Sequence, residues 1–265
     1  MRLNYTKTAF ILGVCFSILL GCSCDDEASD NPSTPLENDN LIAYYPFDDS
    51  LLDASTNNLN GQAVDAVFTK DRNSKDLLAY NITGEDDQVI SVPNFPVGKG
   101  SLSISFWINI DAIDVQNDDV NFTRYIFSKR EICDISNFFN FIYKEKSFDD
   151  PNTNILSLEI RQADGSNLSV SAKGIAKGRW VHVTGVLDNE NKKTALYFDA
   201  GLAEEVSWDA NIDIDLTNNA PLEIGANICE RRSDNVSGLL KANIDELAFF
   251  NSTLSQQEIT DYATH

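Results

Sequence analysis

Histidine and basic residues are scarce in this chain of 265 residues, and each shortage removes a class of function. The only imidazoles are His182 and His265, which leaves little for histidine-based catalysis. Lys and Arg number 20 against 41 Asp and Glu, a net charge of −21. Such a field repels nucleic acid and anionic lipid but admits divalent cations and neutral ligands such as glycans. There is no phosphate-binding loop, zinc-ligand spacing or nucleotide fingerprint. Beyond the first twenty residues no apolar run is long enough to cross a bilayer, and no internal repeat is visible.

What is present at the start is a leader. Arg2 and Lys7 form a basic region, and Thr8 to Leu20 is mostly apolar but too short to span a membrane comfortably. It ends in Leu19-Leu20-Gly21-Cys22. A small residue before a cysteine at that point resembles a bacterial lipoprotein signal, which implies cleavage before Cys22 and its acylation. An ordinary signal peptide with a chance cysteine is the alternative. Ser23-Cys24-Asp25-Asp26-Glu27 resembles the surface-export signals of Bacteroidetes lipoproteins, which implies an outer-membrane, outward-facing placement, with the periplasmic face as the alternative. Cleavage removes Arg2 and Lys7 but no acid, leaving 18 basic against 41 acidic residues, a charge near −23. Asp25 to Asn40 holds one aliphatic residue and no aromatic, so it is expected to be a flexible tether. As coil its sixteen residues would span roughly 22 Å. The expected organisation is a signal over 1–21, a lipidated cysteine and tether over 22–40, and one domain over 41–265.

Cys133 and Cys229 are the only cysteines in that domain. An oxidising compartment favours pairing them. Closing a loop of roughly 100 residues would contribute roughly 4 kcal/mol if unstrained. Two free thiols are the alternative, and Cys24 has no evident partner.

The domain reads as strands almost throughout. Apolar runs rich in Ile, Val, Phe and Tyr recur between turn residues: Leu41–Phe47, Leu77–Asn81, Gln88–Val92, Leu102–Ile110, Tyr125–Ser128, Phe138–Lys144, Ile155–Arg161, Leu168–Ala172, Trp180–Leu187, Thr194–Asp199, Leu222–Gly225 and Ala242–Phe250. In Leu102–Ile110 the apolar residues share one face, and Ser103, Ser105, Trp107 and Asn109 share the other. Asp164-Gly165 signals a hairpin. Ser255–Tyr262 reads as the one helix, with Ser255 as N-cap and Glu258 completing a capping box. A dozen or more short strands imply an all-β fold of two stacked antiparallel sheets.

The order of motifs resembles the LamG-like jellyroll of the concanavalin A-like lectin/glucanase superfamily. The matching pieces are AYYPFDDSLLDASTNNLNGQ, GEDDQVISVP, SLSISFWI, IFSKREIC, GRWVHVTGVLD, LYFDAGL, LEIGAN and NIDELAFFNSTLSQQEI. They run from residue 43 to 259 and specify the fold, a β-sandwich with one short C-terminal helix, but no activity.

Three candidate sites follow, of which the resemblance implies the first and the shared strand faces suggest the second. The first is structural Ca²⁺, with Asp245 as main side-chain ligand and Asp48 and the Gly84–Glu85 turn nearby. Carboxylates and carbonyls would supply its oxygens. Alternatively, Asp245 caps backbone amides of the first strand or its turn, with no ion. Asp49 departs from the family, which often has Gly there. The second is a glycan platform of Trp107, Trp180 and His182, indoles beside small polar groups. A covering layer of loops or helix would make Trp107 and His182 packing residues instead, leaving binding to the loops 114–124, 131–140 and 231–235. The third is catalysis. Glycosidases of the superfamily place paired carboxylates on one strand as Glu-x-Asp-x-Glu. That triplet is absent here, and Asp213-Ile214-Asp215, the nearest approach, lacks a glutamate. The expectation is a monomeric, non-catalytic surface lipoprotein that meets a glycan. A protein-interaction or adhesion module is the alternative, and a glycoside hydrolase relative a distant one.

Overall fold

The computed structural model describes residues 33–84, 88–110, 123–131, 137–146, 150, 152–227 and 240–265. Fourteen strands are formed: β1 Leu41–Tyr45, β2 Phe68–Thr69, β3 Ala79–Ile82, β4 Ile90–Val92, β5 Leu102–Ile110, β6 Thr123–Lys129, β7 Phe138–Lys144, β8 Ile155–Arg161, β9 Val170–Lys173, β10 Val181–Asp188, β11 Lys193–Phe198, β12 Gly201–Ser207, β13 Leu222–Ile224 and β14 Ala242–Phe250. One α-helix, α1, spans Gln256–Thr264. The larger sheet runs β12-β11-β10-β5-β14-β3-β2, with β1 also paired to β14; the smaller runs β4-β13-β6-β7-β8-β9. Every described strand pairing is antiparallel. This is a jellyroll β-sandwich.

The two sheets meet through the apolar residues that alternation assigns to one face. Ile104, Phe106 and Ile108 of β5 are fully buried. Phe106 packs edge-on against Phe127 and Phe141 of the opposite sheet, with centroids 5.5 and 5.2 Å away. Phe249 joins the same cluster, whereas Phe250 lies on the other side of β14 and stacks on Tyr262 of α1 at 5.5 Å. Gly185, mid-β10, permits this approach, because a Cβ there would stand 2.7 Å from Phe141 and 2.9 Å from Leu158.

α1 covers part of the outer face of the larger sheet. Ser255 caps it, accepting from the Glu258 amide. The described part of the expected tether, residues 33–40, is tied to this helix. Pro35–Glu37 forms a 3₁₀ turn. Ser33 donates to Asp261 at 3.0 Å, and Asn38 to Glu258 at 2.7 Å. The polar composition that suggested coil instead serves as a set of side-chain bonds to the helix. Two further strands lie outside the expected set. β2 has only two residues, and β12 has all seven exposed, so neither carries an apolar pattern.

Candidate functional site

The outer face of the larger sheet is organised by an irregularity in β14. Asp245 stands opposite Trp107 and Ala248 opposite Ser105, so Glu246 and Leu247 together face the single residue Phe106. That is a β-bulge, and Glu246 takes a positive φ of 52° within it. The extra residue resets the alternation. Ile244 and Leu247 both enter the core, while Asp245 and Glu246 both lie toward the outer side. Strict alternation would have put the two carboxylates on opposite faces.

The bulge falls where the neighbour of β14 changes. Ala242–Ile244 pair with β3, and Leu247–Phe250 pair with β1. At this junction the chain leaves β14 after Tyr45 and returns to it at Ala79, passing through β2 at the sheet's end on the way. The neck of the excursion is closed by the Asp49 amide donating to Leu77 O at 2.8 Å. Asp49 has a φ of 49°, the left-handed conformation that glycine adopts freely. Asp53 ties the excursion down: its carboxylate accepts from the amides of Tyr44, Ser55 and Leu59 at 2.9–3.0 Å.

Arg72, within the excursion, folds back over the junction. Its Nη1 donates to Asp245 Oδ2 at 2.9 Å and lies 3.9 Å from Glu246 Oε1. Its Nη2 donates to a backbone oxygen of His265, and its guanidinium lies over the Trp107 ring at 4.9 Å. Tyr44 donates its hydroxyl to the other oxygen of Glu246. Burial raises the Asp245 carboxyl to about 7 despite the opposing pull of Arg72, and burial raises Glu246 to about 7 as well.

The charge inside the closing strand is therefore compensated by a guanidinium. Asp245, the expected main Ca²⁺ ligand, has its Oδ2 engaged by the Arg72 guanidinium, which would repel a cation placed beside it. Asp48 and Asp71 are near enough to push Asp245 upward, but Asp71 is turned to the amides of Asn73 and Lys75, at 2.8 Å each. Gly84 packs against Lys241, four residues before Asp245, and Glu85 lies outside the described residues. Among the described residues no three His, Cys, Asp or Glu side chains group closely enough to hold a metal ion. Nor does Asp245 cap the first strand; Asp53 does.

The expected glycan platform divides into a covered part at His182 and a half-buried part at Trp180. His182 is 1% exposed. Its Nε2 is 2.9 Å from Ser105 Oγ, and its ring meets the edge of Trp107 at 5.2 Å. Burial above all lowers its pKa to about 3, with Arg72 adding to the fall and Asp199 opposing it. Above it, Arg72, Glu246, Tyr262 and His265 leave a cavity of about 10 Å³, room for a single water at most. His182 is a packed core residue.

Beyond the roof the face carries a row of carboxamides. Asn109 of β5 stands directly opposite Asn243 of β14, and Asn243 directly opposite Asn81 of β3. All three are half-buried, and their in-strand neighbours Ile108, Ile110, Ala242, Ile244, Tyr80 and Ile82 fill the core on the other side. Trp180 is also half-buried; it immediately precedes Val181, which pairs with Ile108, and so lies beside Asn109 at the end of the row. Trp107 Nε1, Asn109 Oδ1 and Asp245 Oδ1 are buried without a hydrogen-bond partner among the described residues. Arg72, Asn81 and Asn243 carried no local sequence signal. Their roles come from strand register and from a contact spanning 173 positions.

The outer face of the smaller sheet carries another polar row. Glu223, Ser128, Asn140 and Glu159 stand side by side on successive strands. The two carboxylates are three strand intervals apart, roughly 14 Å between backbones. Asp213 and Asp215 are salt-bridged to Lys192 and Lys99. A cleft of about 490 Å³ is lined by residues that include Ile42, Asn57, Lys99 and Asn251, with no aromatic side chain. Cys22, Cys133 and Cys229 lie outside the described residues, as do most of the loops 114–124, 131–140 and 231–235.

Residues 83–260 match the family model described as the concanavalin A-like lectin/glucanases superfamily. No curated protein matches the chain. Among solved structures, the binding domain of Paraclostridial Mosquitocidal Protein 1 is similar, with a TM-score of 0.65 and 18% identity over 85% of this chain and 52% of that one. The botulinum neurotoxin serotype D ligand binding domain in complex with N-acetylneuraminic acid gives 0.63 and 14%, over 87% and 52%. Domain 4 of AbnA, a GH43 extracellular arabinanase from Geobacillus stearothermophilus in complex with arabinotriose, gives 0.59 and 20%, over 84% and 98%. The chain thus spans about half the length of the toxin domains and nearly all of the arabinanase domain. Identities this low speak for a shared fold alone.

Proposed function

Because the chain belongs to the concanavalin A-like lectin/glucanases superfamily, we propose that it is a non-catalytic glycan-binding module carried on the cell surface by a lipidated Cys22. One observation carries the binding reading: a half-buried tryptophan, Trp180, lies beside a row of uncharged amides on the outer face of the larger sheet. Indole faces stack on sugar rings, and amides serve hydroxyls as both donor and acceptor. Two structural neighbours were solved with saccharides, arabinotriose in one and N-acetylneuraminic acid in the other. The non-catalytic reading is supported by the absence of the Glu-x-Asp-x-Glu triplet that glycosidases of the superfamily carry on one strand.

The test is a glycan array probed with the purified full-length chain. Binding to a defined set of saccharides is expected, and silence across plant, algal and host glycans would remove the reading. A protein-docking module is the second reading. It is favoured by the edge strand β12, whose exposed Leu202 and Val206 flank backbone with one unpaired edge. For the anchor, metabolic labelling with radioactive palmitate should mark the wild type and not Cys22→Ala. Label retained in the variant would place the lipid elsewhere.

A further inference from the structure

We propose that β12 is an addition edge for an extended partner segment carrying two consecutive basic residues between aliphatic ones, docked as a further strand of the larger sheet. This is independent of glycan binding and gives the protein-docking reading its occupant. The rims of the two sheets set β12 apart. β2, β4 and β9, which end the other rims, have only two, three and four residues, and short edges protect a sandwich from stray pairing. β12 has seven, every one exposed, and its sequence GLAEEVS holds neither the lysine nor the proline that blunts an edge. Within it Leu202 and Val206 are 57% and 41% exposed.

The backbone groups on offer follow from the ladder. The Trp208 amide donates to Lys192 O at 2.9 Å, so antiparallel alternation turns the amides and carbonyls of Val206 and Glu204 to β11. Glu205 and Ser207 turn theirs to the free side, where the Glu205 amide meets the carboxylate of its own neighbour, Glu204, at 3.3 Å. A strand laid there would replace that contact with regular ladder bonds. The register then assigns the side chains. Glu204 and Val206 stand opposite Leu196 and Thr194 on one face, and Glu205 and Leu202 opposite Ala195 and Tyr197 on the other. Each face thus offers one carboxylate and one aliphatic side chain, and the complement reads aliphatic-basic-basic-aliphatic. Glu205 already holds Lys193 at 3.0 Å, so Glu204 carries the larger share of the recognition. A second copy of this chain does not fit. Full antiparallel self-pairing would set Glu204 against its own counterpart, between two chains of −21 each.

The probe is the synthetic peptide Thr-Val-Lys-Lys-Val-Thr, blocked at both ends and added in excess to the full-length chain. Hydrogen exchange should slow at the Glu205 and Ser207 amides, the two that face the free side. The same peptide N-methylated at every residue keeps its charge but loses its ladder donors, and should leave both amides exchanging freely. Thr-Val-Glu-Glu-Val-Thr should do the same. Glu204→Lys should weaken binding of the lysine peptide about tenfold or more. Asp65→Lys, an equal change of charge in the excursion that carries β2 at the opposite rim, should leave it unchanged. Both positions are exposed, so both variants should melt with the wild type. Equal binding of the N-methylated peptide, or an equal loss in both variants, would mean diffuse charge attraction and overturn strand addition. Protection confined to other strands overturns the site while leaving a docking module. A concentration-dependent dimer without peptide, protected at β12, makes a second copy the occupant and overturns the basic partner. The glycan array stands or falls separately from every one of these outcomes.

Discussion

Arg72 and Asp245 form a buried ion pair across 173 residues of sequence, with side chains only 14% and 2% exposed and a 2.9 Å contact. One member sits in an excursion and the other in the closing strand, so the pair fastens the excursion over the sheet. Removing one partner of such a pair leaves an uncompensated charge. Arg72→Met should therefore destabilise by about 3 kcal/mol or more. The double variant Arg72→Met with Asp245→Asn should recover part of this. Urea denaturation measures both, and a loss under about 1 kcal/mol for Arg72→Met would contradict a buried pair.

The same cluster makes stability depend on pH in two opposed ways. Asp245 and Glu246 are raised to about 7 in the folded state. Folding therefore favours their protonated forms, and their contribution is complete below about pH 4 and is lost as pH rises to about 7. His182 is lowered to about 3. It contributes stability above about pH 6.5 that is lost as pH falls toward 3. Denaturation midpoints from pH 4 to 8 should accordingly fall less steeply with rising pH in Asp245→Asn/Glu246→Gln than in wild type. His182→Gln should fall more steeply over pH 4 to 6.5. Identical slopes in all three proteins would contradict this assignment.

Gly185 controls how closely the two sheets pack. A Cβ there would stand 2.7 Å from Phe141 and 2.9 Å from Leu158. Gly185→Ala should cost about 1–3 kcal/mol. The compensating variant Gly185→Ala with Leu158→Ala should lose less than the sum of the two single changes. Strict additivity in thermal unfolding would mean that the residues do not compete for space.

Asp53 anchors the other end of the excursion through three backbone amides. Asp53→Ala should lower stability by about 2 kcal/mol or more by leaving those donors unpaired. Asp53→Asn, which keeps an acceptor, should lose less. Amide exchange at Tyr44, Ser55 and Leu59 checks the cause directly, since these positions should lose protection first.

Much of the sandwich is legible in the chain because burial writes itself as alternation. Ile104, Phe106, Ile108 and Ile110 fill the core as their spacing requires. The helix was equally readable, since Ser255 and Glu258 carry the capping chemistry locally. The site was less so. A single left-handed residue, Glu246, reverses the faces of everything on one side of it, and glutamate gives no warning of that conformation. Trp107 and His182 were found by their shared face, but the cover over His182 comes from Arg72 and α1, far away in sequence. β12 leaves no sequence signature, for a physical reason too. Its side chains are all exposed, so its place in the sheet rests on backbone bonds to β11 and on pairs such as Lys193–Glu205 at 3.0 Å.

The bonds from Ser33 and Asn38 to α1 have a mechanical side. A pull on the chain ahead of residue 33 meets two side-chain clasps on the helix before it reaches β1. That strand has β14 as its one described partner, and β14 pairs with β5 on its other side. Tension on the chain would thus load the helix clasps first and the β1–β14 ladder next.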